Sequence, residues 1–458
     1  MSAETFRSSA FGYMKTLAHH LIPGGCHTYA KGDDQYPILA PGFIVRGEGC
    51  RVWDLNDQEY IEYGMGNRAV GLGHAYPPVV EAAQRELSRG CNFTRPSPLE
   101  VQCADQFLSL IERAEMVKFC KDGSDATSGA MRLARAYTGR DLIACCGDHP
   151  FFSTDDWFIG TTAMNAGIPQ AVRNLTLTFR YNDLESAKAL FAQHPDQIAA
   201  LILEPARVDE PLPGYLTALR DLCHANGALL IFDEMITGFR WHARGAQELY
   251  GVTPDLSCFG KALANGFSVS ALAGKREFMR LGGLTHSDRP RVFLLSTTHG
   301  AETHALAAAI ATMRVYEREP VIEHLIRCGT RLRSGIEEIA SRRGVADHFK
   351  VFGRPSCLLY ATLDATGASS QAFRSLFLQE MARRHVLAPS FVVSYSHSDA
   401  DIDMTLAAID AALEVYAQAL DSGVERFLVG RPSEVVYRRY NRPDAGEEFK
   451  ASPTLSAR

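Results

Sequence analysis

The feature that most constrains the fold is a series of short apolar segments that alternate with helical patterns. Between the first two segments, residues 124–139 place apolar side chains at helical spacing and end at Gly139, as in a helix closed by glycine. The alternation predicts an α/β fold, with a mainly parallel sheet wrapped by helices. The segments, bounded by glycine, proline or charge as buried strands are, are 116–120, 142–146, 199–203, 228–232 and 268–273.

A different pattern begins near residue 317. Long amphipathic helices are predicted at 321–343, 371–385 and 399–420, around a few short strands, which indicates a second, smaller α+β domain. The first 55 or so residues are rich in Gly, Pro and Tyr and predict an arm with a short hairpin. The chain is therefore divided into an arm and hairpin, a cofactor-binding large domain, a small C-terminal α+β domain and a polar tail, at 1–55, 56–316, 317–430 and 431–458.

Composition excludes several classes of function. The 458 residues carry 47 Lys plus Arg and 53 Asp plus Glu, a net charge of −6, which argues against a nucleic-acid or membrane-surface role. No apolar run reaches the roughly 18 residues of a membrane span, and the N-terminus lacks a signal-peptide pattern. The eleven cysteines include no C-x-x-C pair, so buried thiols are expected rather than disulfides or a metal site. The sequence predicts a soluble, cytoplasmic protein.

Two charged residues follow strand-like segments. Asp233 lies in FDEMITGFR directly after a buried strand, where open α/β sheets bind ligands; the alternative is a carboxylate that caps the next helix. Lys261 lies between a strand-like run and a glycine-containing turn. A lysine in a cleft loses solvation, its pKa falls, and it becomes a nucleophile toward carbonyl groups; the alternative is a solvated loop lysine.

A third feature is the turn KDGSDA at 121–126, where a strand leads into a helix. Free backbone N–H groups and the helix dipole at such a turn suit a phosphate, with the Ser124 hydroxyl as a further donor. Ser124 as a helix cap is an alternative compatible with this one. A lysine that forms an imine, an aspartate that keeps a pyridine nitrogen protonated and a phosphate loop are together what pyridoxal 5'-phosphate requires.

Seven segments between residues 21 and 413 carry a resemblance to a known family. The chain resembles class III (fold type I) pyridoxal-phosphate aminotransferases, and within them the glutamate-1-semialdehyde 2,1-aminomutase-like branch. The resemblance implies a large domain with a mainly parallel, seven-stranded type of sheet and a smaller α+β C-terminal domain. The segments are LIPGG (21–25), LGHAYPPVVEA (72–82), RLARAYTGRD (132–141), EP (204–205), FDEMITGFR (232–240), FGKALANGFSVSALAGKREFM (259–279) and LAPS (387–390).

The resemblance implies a role for several residues around the cofactor. Lys261 forms the Schiff base and moves the substrate proton, Asp233 pairs with the pyridine nitrogen, and Gly123 and Ser124 hold the phosphate. Thr297 matches a threonine that reaches the phosphate from the neighbouring subunit, which implies an obligate homodimer with shared active sites.

Two further residues are expected beside the cofactor ring. His149 falls where the family has a stacking aromatic, with Phe151 or Phe152 as alternatives, and Glu204 is expected near the ring. Where the family's phosphate loop has a neutral residue, this chain has Asp122, which we expect to point away from the phosphate or to meet Lys121.

Departures from the family pattern concern the substrate. Lys31 stands where the aminomutase branch has an arginine for the substrate carboxylate, and a lysine lacks the bidentate fork. Asn67 replaces a tryptophan and is followed by Arg68, which becomes a second candidate for substrate contact, with a surface salt bridge as the alternative. Arg207 is a third candidate, and Glu302 a fourth, with a helix N-terminal acid as its alternative. These polar replacements favour a polyhydroxy, sugar-like ketone or aldehyde.

The predicted activity is transfer of an amino group from an amino donor to a small polar carbonyl acceptor, through pyridoxamine phosphate. The alternative is an intramolecular 2,1-aminomutase of the glutamate-1-semialdehyde type, which uses the same core residues. A nicotinamide-linked dehydrogenase is disfavoured because no G-x-G-x-x-G follows a strand and opens a helix. A non-catalytic module on the same fold is disfavoured because Lys261 and Asp233 are both retained.

Overall fold

The computed structural model describes residues 3–441, with side chains from residue 12 onward. Residues 442–458 of the predicted polar tail lie outside the described residues. The strands are β1 (Ile44–Glu48), β2 (Arg51–Asp54), β3 (Glu59–Glu62), β4 (Met116–Cys120), β5 (Leu142–Cys146), β6 (Thr176–Phe179), β7 (Ile198–Leu203), β8 (Leu229–Asp233), β9 (Leu256–Phe259), β10 (Ser270–Gly274), β11 (Phe349–Phe352), β12 (Cys357–Thr362), β13 (Val386–Leu387) and β14 (Phe391–Val392).

Helices occur along the whole described chain, between and after these strands. Those of the C-terminal part begin at the predicted residues and end within two residues of the predicted ends. The helices are α1 (Ala3–Leu21), α2 (Met65–Arg68), α3 (Pro77–Leu87), α4 (Pro98–Leu110), α5 (Gly123–Thr138), α6 (Asp156–Ile159), α7 (Gln170–Arg173), α8 (Leu184–Gln193), α9 (Tyr215–Ala225), α10 (Ala246–Leu249), α11 (Arg276–Met279), α12 (Thr303–Arg318), α13 (Val321–Arg342), α14 (Gln371–Arg383) and α15 (Asp399–Ser422).

A seven-stranded sheet forms the centre of the molecule, in the order β4-β10-β9-β8-β7-β5-β6. Strand β10 pairs antiparallel with β4 and β9, and the other four pairings are parallel. Strand β7 is buried along its whole length, because helices cover both faces of a parallel sheet. The predicted α/β class is confirmed, and β4, β5, β7, β8 and β9 all end at one edge of the sheet.

Two small sheets join distant parts of the chain. Strands β1, β2 and β3 form an antiparallel sheet whose fourth strand is β13, parallel to β3. The boundary predicted at residue 55 falls inside this sheet, between β2 and β3. Strands β11, β12 and β14 form the antiparallel sheet of the C-terminal part, and the first residues of the chain form α1 where the sequence indicated only an arm.

Side-chain burial agrees with the sequence pattern. Nine of the eleven cysteines are buried and all eleven are unpaired. The adjacent Cys145 and Cys146 lie in the core beside α5, as their apolar surroundings predicted. Across residues 3–441, no helix is both long enough and apolar enough to cross a membrane.

Candidate active site

Five strand ends bring the predicted cofactor residues to one edge of the large sheet. Glu204 directly follows β7 and Asp233 is the last residue of β8, while Lys261 lies two residues after β9. His149 lies three residues after β5, and Gly123 opens α5 just after β4. Parallel strands end at the same edge of a sheet, so residues spread over nearly 140 positions of the chain share one site.

Lys261 and Asp233 interact electrostatically in this buried site. Burial lowers the pKa of the Lys261 amine, and the charges of Arg68 and Arg207 lower it further against the opposing effect of Asp233 and Glu204. Burial, followed by the Glu204 carboxylate, raises the pKa of Asp233 to about 7, although Lys261 lowers it. One Asp233 oxygen, Oδ1, accepts a hydrogen bond from the Met235 N–H at 2.9 Å. The lysine is thereby prepared as a nucleophile and the aspartate lacks a full counter-charge.

The backbone around Lys261 is tightly constrained. Lys261 begins a 3-10 turn, Lys261–Ala264, and has a φ of 45°, a conformation that non-glycine residues seldom adopt. The side chain of Met235 lies between this turn and α5: a β-carbon at Gly260 would be 2.6 Å from the Met235 Sδ, and one at Gly123 would be 3.0 Å from it. Glycine at both positions is what lets the two loops approach each other.

His149 and Glu204 are joined by a backbone hydrogen bond. The Glu204 N–H donates to His149 Nδ1 at 3.1 Å, so the neutral ring carries its proton on Nε2. Burial lowers the pKa of His149, which favours that neutral form. The ring lies 5.0 Å from Tyr181, centroid to centroid. Of the two alternatives for the stacking position, Phe152 is buried in the core and Phe151 is 43% exposed.

Arg207 contacts the site by forming an ion pair with Glu204. Its Nη1 donates to Glu204 Oε1 at 3.2 Å, while Glu204 Oε2 is buried with no hydrogen-bond partner among the described residues. The pair therefore leaves one carboxylate oxygen available toward the site.

The N-terminus of α5 is a phosphate-type cradle that a carboxylate partly occupies. Asp122 Oδ1 accepts hydrogen bonds from the N–H groups of Ser124 and Asp125 at 2.8 and 3.1 Å. The Ser124 hydroxyl accepts from the Thr154 N–H at 3.0 Å. The sequence led us to expect Asp122 to point away from the phosphate or to meet Lys121; instead its carboxylate lies on the N–H groups of Ser124 and Asp125. It caps the helix because an aspartate before the first turn satisfies the free amide groups there.

Lys121 instead forms an ion pair with Glu302. Glu302 is the residue before α12, and its other oxygen interacts with His299 Nδ1 at 3.1 Å. The hydrogen bond from Lys121 is the main cause that lowers the pKa of Glu302. Both carboxylate oxygens have protein partners, so Glu302 joins the phosphate-type turn to the segment that carries Thr297. Thr297 itself is exposed on this chain.

The remaining substrate candidates occupy different environments. Lys31 is exposed at the end of a 3-10 turn, Tyr29–Lys31. Arg68 is partly buried, with its Nε hydrogen toward Cys357 Sγ at 3.3 Å and its Nη2 near Ser390 Oγ at 3.5 Å. The surface-salt-bridge interpretation of Arg68 does not fit this environment, because neither Cys357 nor Ser390 carries a carboxylate.

Sequence reasoning missed several residues around the site. Asn265, four residues after Lys261, accepts hydrogen bonds at Oδ1 from the N–H groups of Gly71 and Leu72 at 3.0 and 2.9 Å. Its Nδ2 donates to the Gly73 carbonyl at 2.9 Å. Arg374, in the first turn of α14, was also missed. Asn265 stands in the GKALANG segment, so the signal was present, whereas nothing in the pattern of α14 sets Arg374 apart.

Comparisons with known proteins agree with the fold. Residues 29–354 match the family model for class III aminotransferases. A glutamate-1-semialdehyde 2,1-aminomutase of Desulfitobacterium hafniense (strain Y51) is 34% identical over 415 residues, which cover 85% of this chain and 94% of that protein. A similarly named aminomutase of Bacillus cereus (strain G9842) is 34% identical over 418 residues, 86% of this chain and 96% of the relative.

Two solved structures extend the comparison to three dimensions. The internal aldimine form of the FumI protein from Sphingopyxis sp. MTA144, with its pyridoxal phosphate, is 29% identical with a TM-score of 0.82, covering 90% of this chain and 98% of that one. An omega-transaminase from Sphaerobacter thermophilus is 26% identical with a TM-score of 0.80, covering 89% and 98%. The fold and the strand-end site define a pyridoxal-phosphate enzyme of fold type I. The chain belongs to the class III aminotransferases, as the sequence predicted.

The residues of this chain fit pyridoxal phosphate. Asp233 is a buried carboxylate without a full counter-charge, which a protonated pyridine nitrogen would supply. The lysine amine is buried beside it, and the N-terminus of α5 offers backbone donors for a phosphate. Gly123 and Gly260 leave space that side chains would fill.

Proposed function

We propose that the chain transfers an amino group from a small amino donor to a separate, polar carbonyl acceptor. The observation that carries the proposal is the pairing of Lys261 and Asp233 at adjacent strand ends in a buried site. When bound, pyridoxal phosphate supplies the carbon that receives the amine and a ring that withdraws electrons. A polyhydroxy, sugar-like ketone or aldehyde suits the polar replacements at Lys31, Asn67 and Arg68.

The residues of the chain divide the work of this reaction. Lys261, with its lowered pKa, holds or releases a proton at Nζ, which suits a group that acts as both acid and base. Asp233 orients and keeps protonated the ring nitrogen, Gly123 and Ser124 bind the phosphate, and His149 packs against the ring, with its neutral form facing Glu204.

The test is a visible absorption spectrum of the purified protein with pyridoxal phosphate, recorded before and after each of a panel of amino donors. We expect a cofactor band that at least one donor abolishes and that a carbonyl acceptor restores. A protein that shows no cofactor band would contradict the proposal at its first step.

An intramolecular aminomutase is the second candidate, supported by the names of the relatives at 34% identity. Against it stands Lys31, exposed and in place of the arginine of that branch. The two candidates differ in where the nitrogen ends. With ¹⁵N-labelled donor, transamination places the label in a different molecule, whereas an aminomutase converts glutamate-1-semialdehyde with no second substrate.

A homodimer with shared sites is part of the proposal. Thr297 is exposed, Phe293 just before it in sequence is 70% exposed, and Phe93, next to Asn92, is 53% exposed. The Asn92 Nδ2 donates to the Thr298 carbonyl at 3.0 Å, so these residues form one surface with apolar groups that a second copy would cover.

Subunit mixing tests this arrangement. In a heterodimer of Thr297→Ala and Lys261→Ala subunits, shared sites leave one site with both lesions and one intact. We expect activity well above the mean of the two parent variants. Confirmed heterodimers with activity no greater than that mean would argue against sharing.

The unpaired cysteines support a cytoplasmic location, since oxidising compartments favour disulfides. Cell fractionation with a compartment marker tests it, and recovery in an extracytoplasmic fraction would contradict it.

A further inference from the structure

A polar cavity of about 320 Å³ lies where the loop around α2 meets the C-terminal part of the chain. This volume is at the lower end of the range for small-molecule pockets. We call it the arginine cavity, because Arg68 and Arg374 both line it, together with Gln35, Tyr36, Asn67 and Ser390 among others. Its walls come from the N-terminal segment, the loop around α2, the sheet of the C-terminal part and the segment after β13.

Arg374 is held rigidly in the wall of the cavity. Its guanidinium lies 5.0 Å from the centroid of the Tyr360 ring, and its Nη2 donates to the Pro389 carbonyl at 2.8 Å. Stacking and a single backbone hydrogen bond fix the plane of the group and leave its other N–H donors for a ligand. The nearby Tyr36 has a pKa raised to about 12, mainly by burial, so its hydroxyl stays a hydrogen-bond donor.

Arg68 lines the same cavity from a strained loop. Met65, Asn67 and Arg68 all have positive φ, at 43°, 57° and 71°, and strain of this kind is concentrated where side chains must be placed for function. The buried Arg240 holds the loop, with its Nη2 donating to the Arg68 carbonyl at 3.0 Å.

The two arginines of the arginine cavity have no carboxylate partner among the described residues of its wall. Among the side chains that the structure describes, neither Arg68 nor Arg374 forms an ion pair with a carboxylate. One carboxylate, that of Glu434, also lines the cavity. Among the lining residues alone, two guanidinium groups stand against one carboxylate, which gives the lining a net positive formal charge, although the Glu204 carboxylate is close enough to raise the pKa of Arg68.

The cavity adjoins the reacting lysine. The Asn265 side chain, four residues after Lys261, holds residues 71–73 through three hydrogen bonds. This fixes the loop that carries Arg68 against the lysine turn. The charge of Arg68 is close enough to lower the pKa of Lys261.

We propose that the arginine cavity binds an anionic group of the substrate, a carboxylate or a phosphate ester, between Arg68 and Arg374 while the reacting end of the substrate lies at Lys261. Guanidinium groups match both anions through two parallel N–H donors. The neutral donors Asn67, Tyr36 and Ser390 suit hydroxyl groups on the same molecule. The part of this assignment that places the reacting end of the substrate at Lys261 rests on the proposed function. The part that places an anionic group between the two arginines rests on the cavity alone.

Calorimetric titration of the protein loaded with pyridoxal phosphate tests the assignment, because the cofactor then fills its own phosphate cradle. The probes are succinate, methylphosphonate and the neutral succinamide. The variants are Arg374→Gln and Arg68→Gln, with Arg374→Lys in case the glutamine variant fails to fold. Arg383→Gln is the matched control, since Arg383 lies on the same helix but pairs with Glu380 at 2.7 Å.

We expect one of the two anions to bind and succinamide not to bind, and the better anion identifies the group as a carboxylate or a phosphate. The Kd should rise about tenfold or more in each Arg68 and Arg374 variant, the effect of losing a hydrogen bond to a charged group, and stay unchanged in Arg383→Gln. Failure of both anions to bind, or a Kd that these variants do not change, would overturn the assignment.

The amino-donor spectrum, recorded on the same samples, separates the two proposals. If an amino donor reacts but neither anion binds, the proposed function stands and the assignment of the cavity is wrong. If an anion binds in a way that depends on Arg68 and Arg374 but no donor reacts, the assignment of the cavity stands and the proposed function is wrong.

Discussion

The cofactor side and the substrate side of the site are built in opposite ways. On the cofactor side, each residue follows a different strand of one sheet, between Gly123 and Lys261. On the substrate side, the arginine cavity takes its walls from segments as distant as Gln35 and Glu434. A sheet edge fixes the first set through backbone geometry, whereas the second depends on how separate parts pack. We therefore expect changes on the cofactor side to affect chemistry and those on the substrate side to affect selectivity.

The largest effect is expected for Lys261→Ala. Removal of the amine that acts as acid and base should lower turnover by at least about 10⁴-fold, as measured by the rate of donor consumption. The control is Lys350→Ala, an exposed lysine on β11. Substantial turnover in Lys261→Ala would contradict the expectation that residues on the cofactor side carry the chemistry.

Asp233→Asn should change the pH dependence of stability in the cofactor-free protein. The pKa of Asp233 is about 7 in the folded chain and about 3.9 in an unfolded one. The folded chain thus binds the proton more tightly, and its stability falls as pH rises from about 4 to about 7. An asparagine keeps the acceptor for the Met235 N–H and carries no charge. The variant should be more stable than the parent by ~2–4 kcal/mol at pH 8.

Urea unfolding at pH 8 and pH 4 measures this difference, which should shrink to about 0.5 kcal/mol near pH 4, where the carboxyl is protonated in the folded state and about half protonated in the unfolded state. The same variant should lose most of its catalytic activity. Equal stability of the two proteins at pH 8 would contradict a buried carboxylate without a full counter-charge.

Asp122→Asn should strengthen cofactor binding. Asparagine caps a helix as well as aspartate does, but it removes a negative charge beside the phosphate. We expect the Kd for pyridoxal phosphate to fall about three- to tenfold, with a smaller gain at high salt. Absorption titration measures it, with the exposed Asp141→Asn as the control. A weaker affinity in Asp122→Asn would show that the carboxylate assists phosphate binding.

The smallest effect is expected for Glu302→Gln. Since Lys121 and His299 already occupy both carboxylate oxygens, Glu302 should matter for the connection between two loops rather than for the substrate. The pair is partly exposed, so unfolding free energy should change by less than ~1 kcal/mol. The KM for donor and acceptor should stay within about twofold, the scale of such a small energy change. A large rise in KM would restore the substrate role predicted from the sequence.

The same contrast explains how much of the molecule could be predicted from the sequence. Strands β4, β5, β7 and β8 are apolar runs with clear ends, and their positions were predicted to within a residue. Strand β6, at the edge of the sheet, has threonines at two of its four positions, and its polar–apolar alternation is too short to distinguish it from a loop.

The residues of the candidate site could be predicted only where a sequence pattern marks them. Asp233 and Lys261 were identified because each follows a strand-like run. Asp122 was identified as a departure from the family, but whether its carboxylate would cap the helix depends on the geometry of one turn. Arg374 could not be found, because an arginine within an amphipathic helix is ordinary until the Tyr360 ring and the Pro389 carbonyl are seen beside it.

The distribution of the cavity walls along the chain has a consequence for biosynthesis. Glu434 lines the arginine cavity, and its N–H donates to the Asp34 carbonyl at 2.8 Å. Every strand-end residue of the cofactor side has left the ribosome long before that contact can form. The wall of the arginine cavity therefore cannot be complete until the chain has been synthesised through Glu434 and this residue has met Asp34.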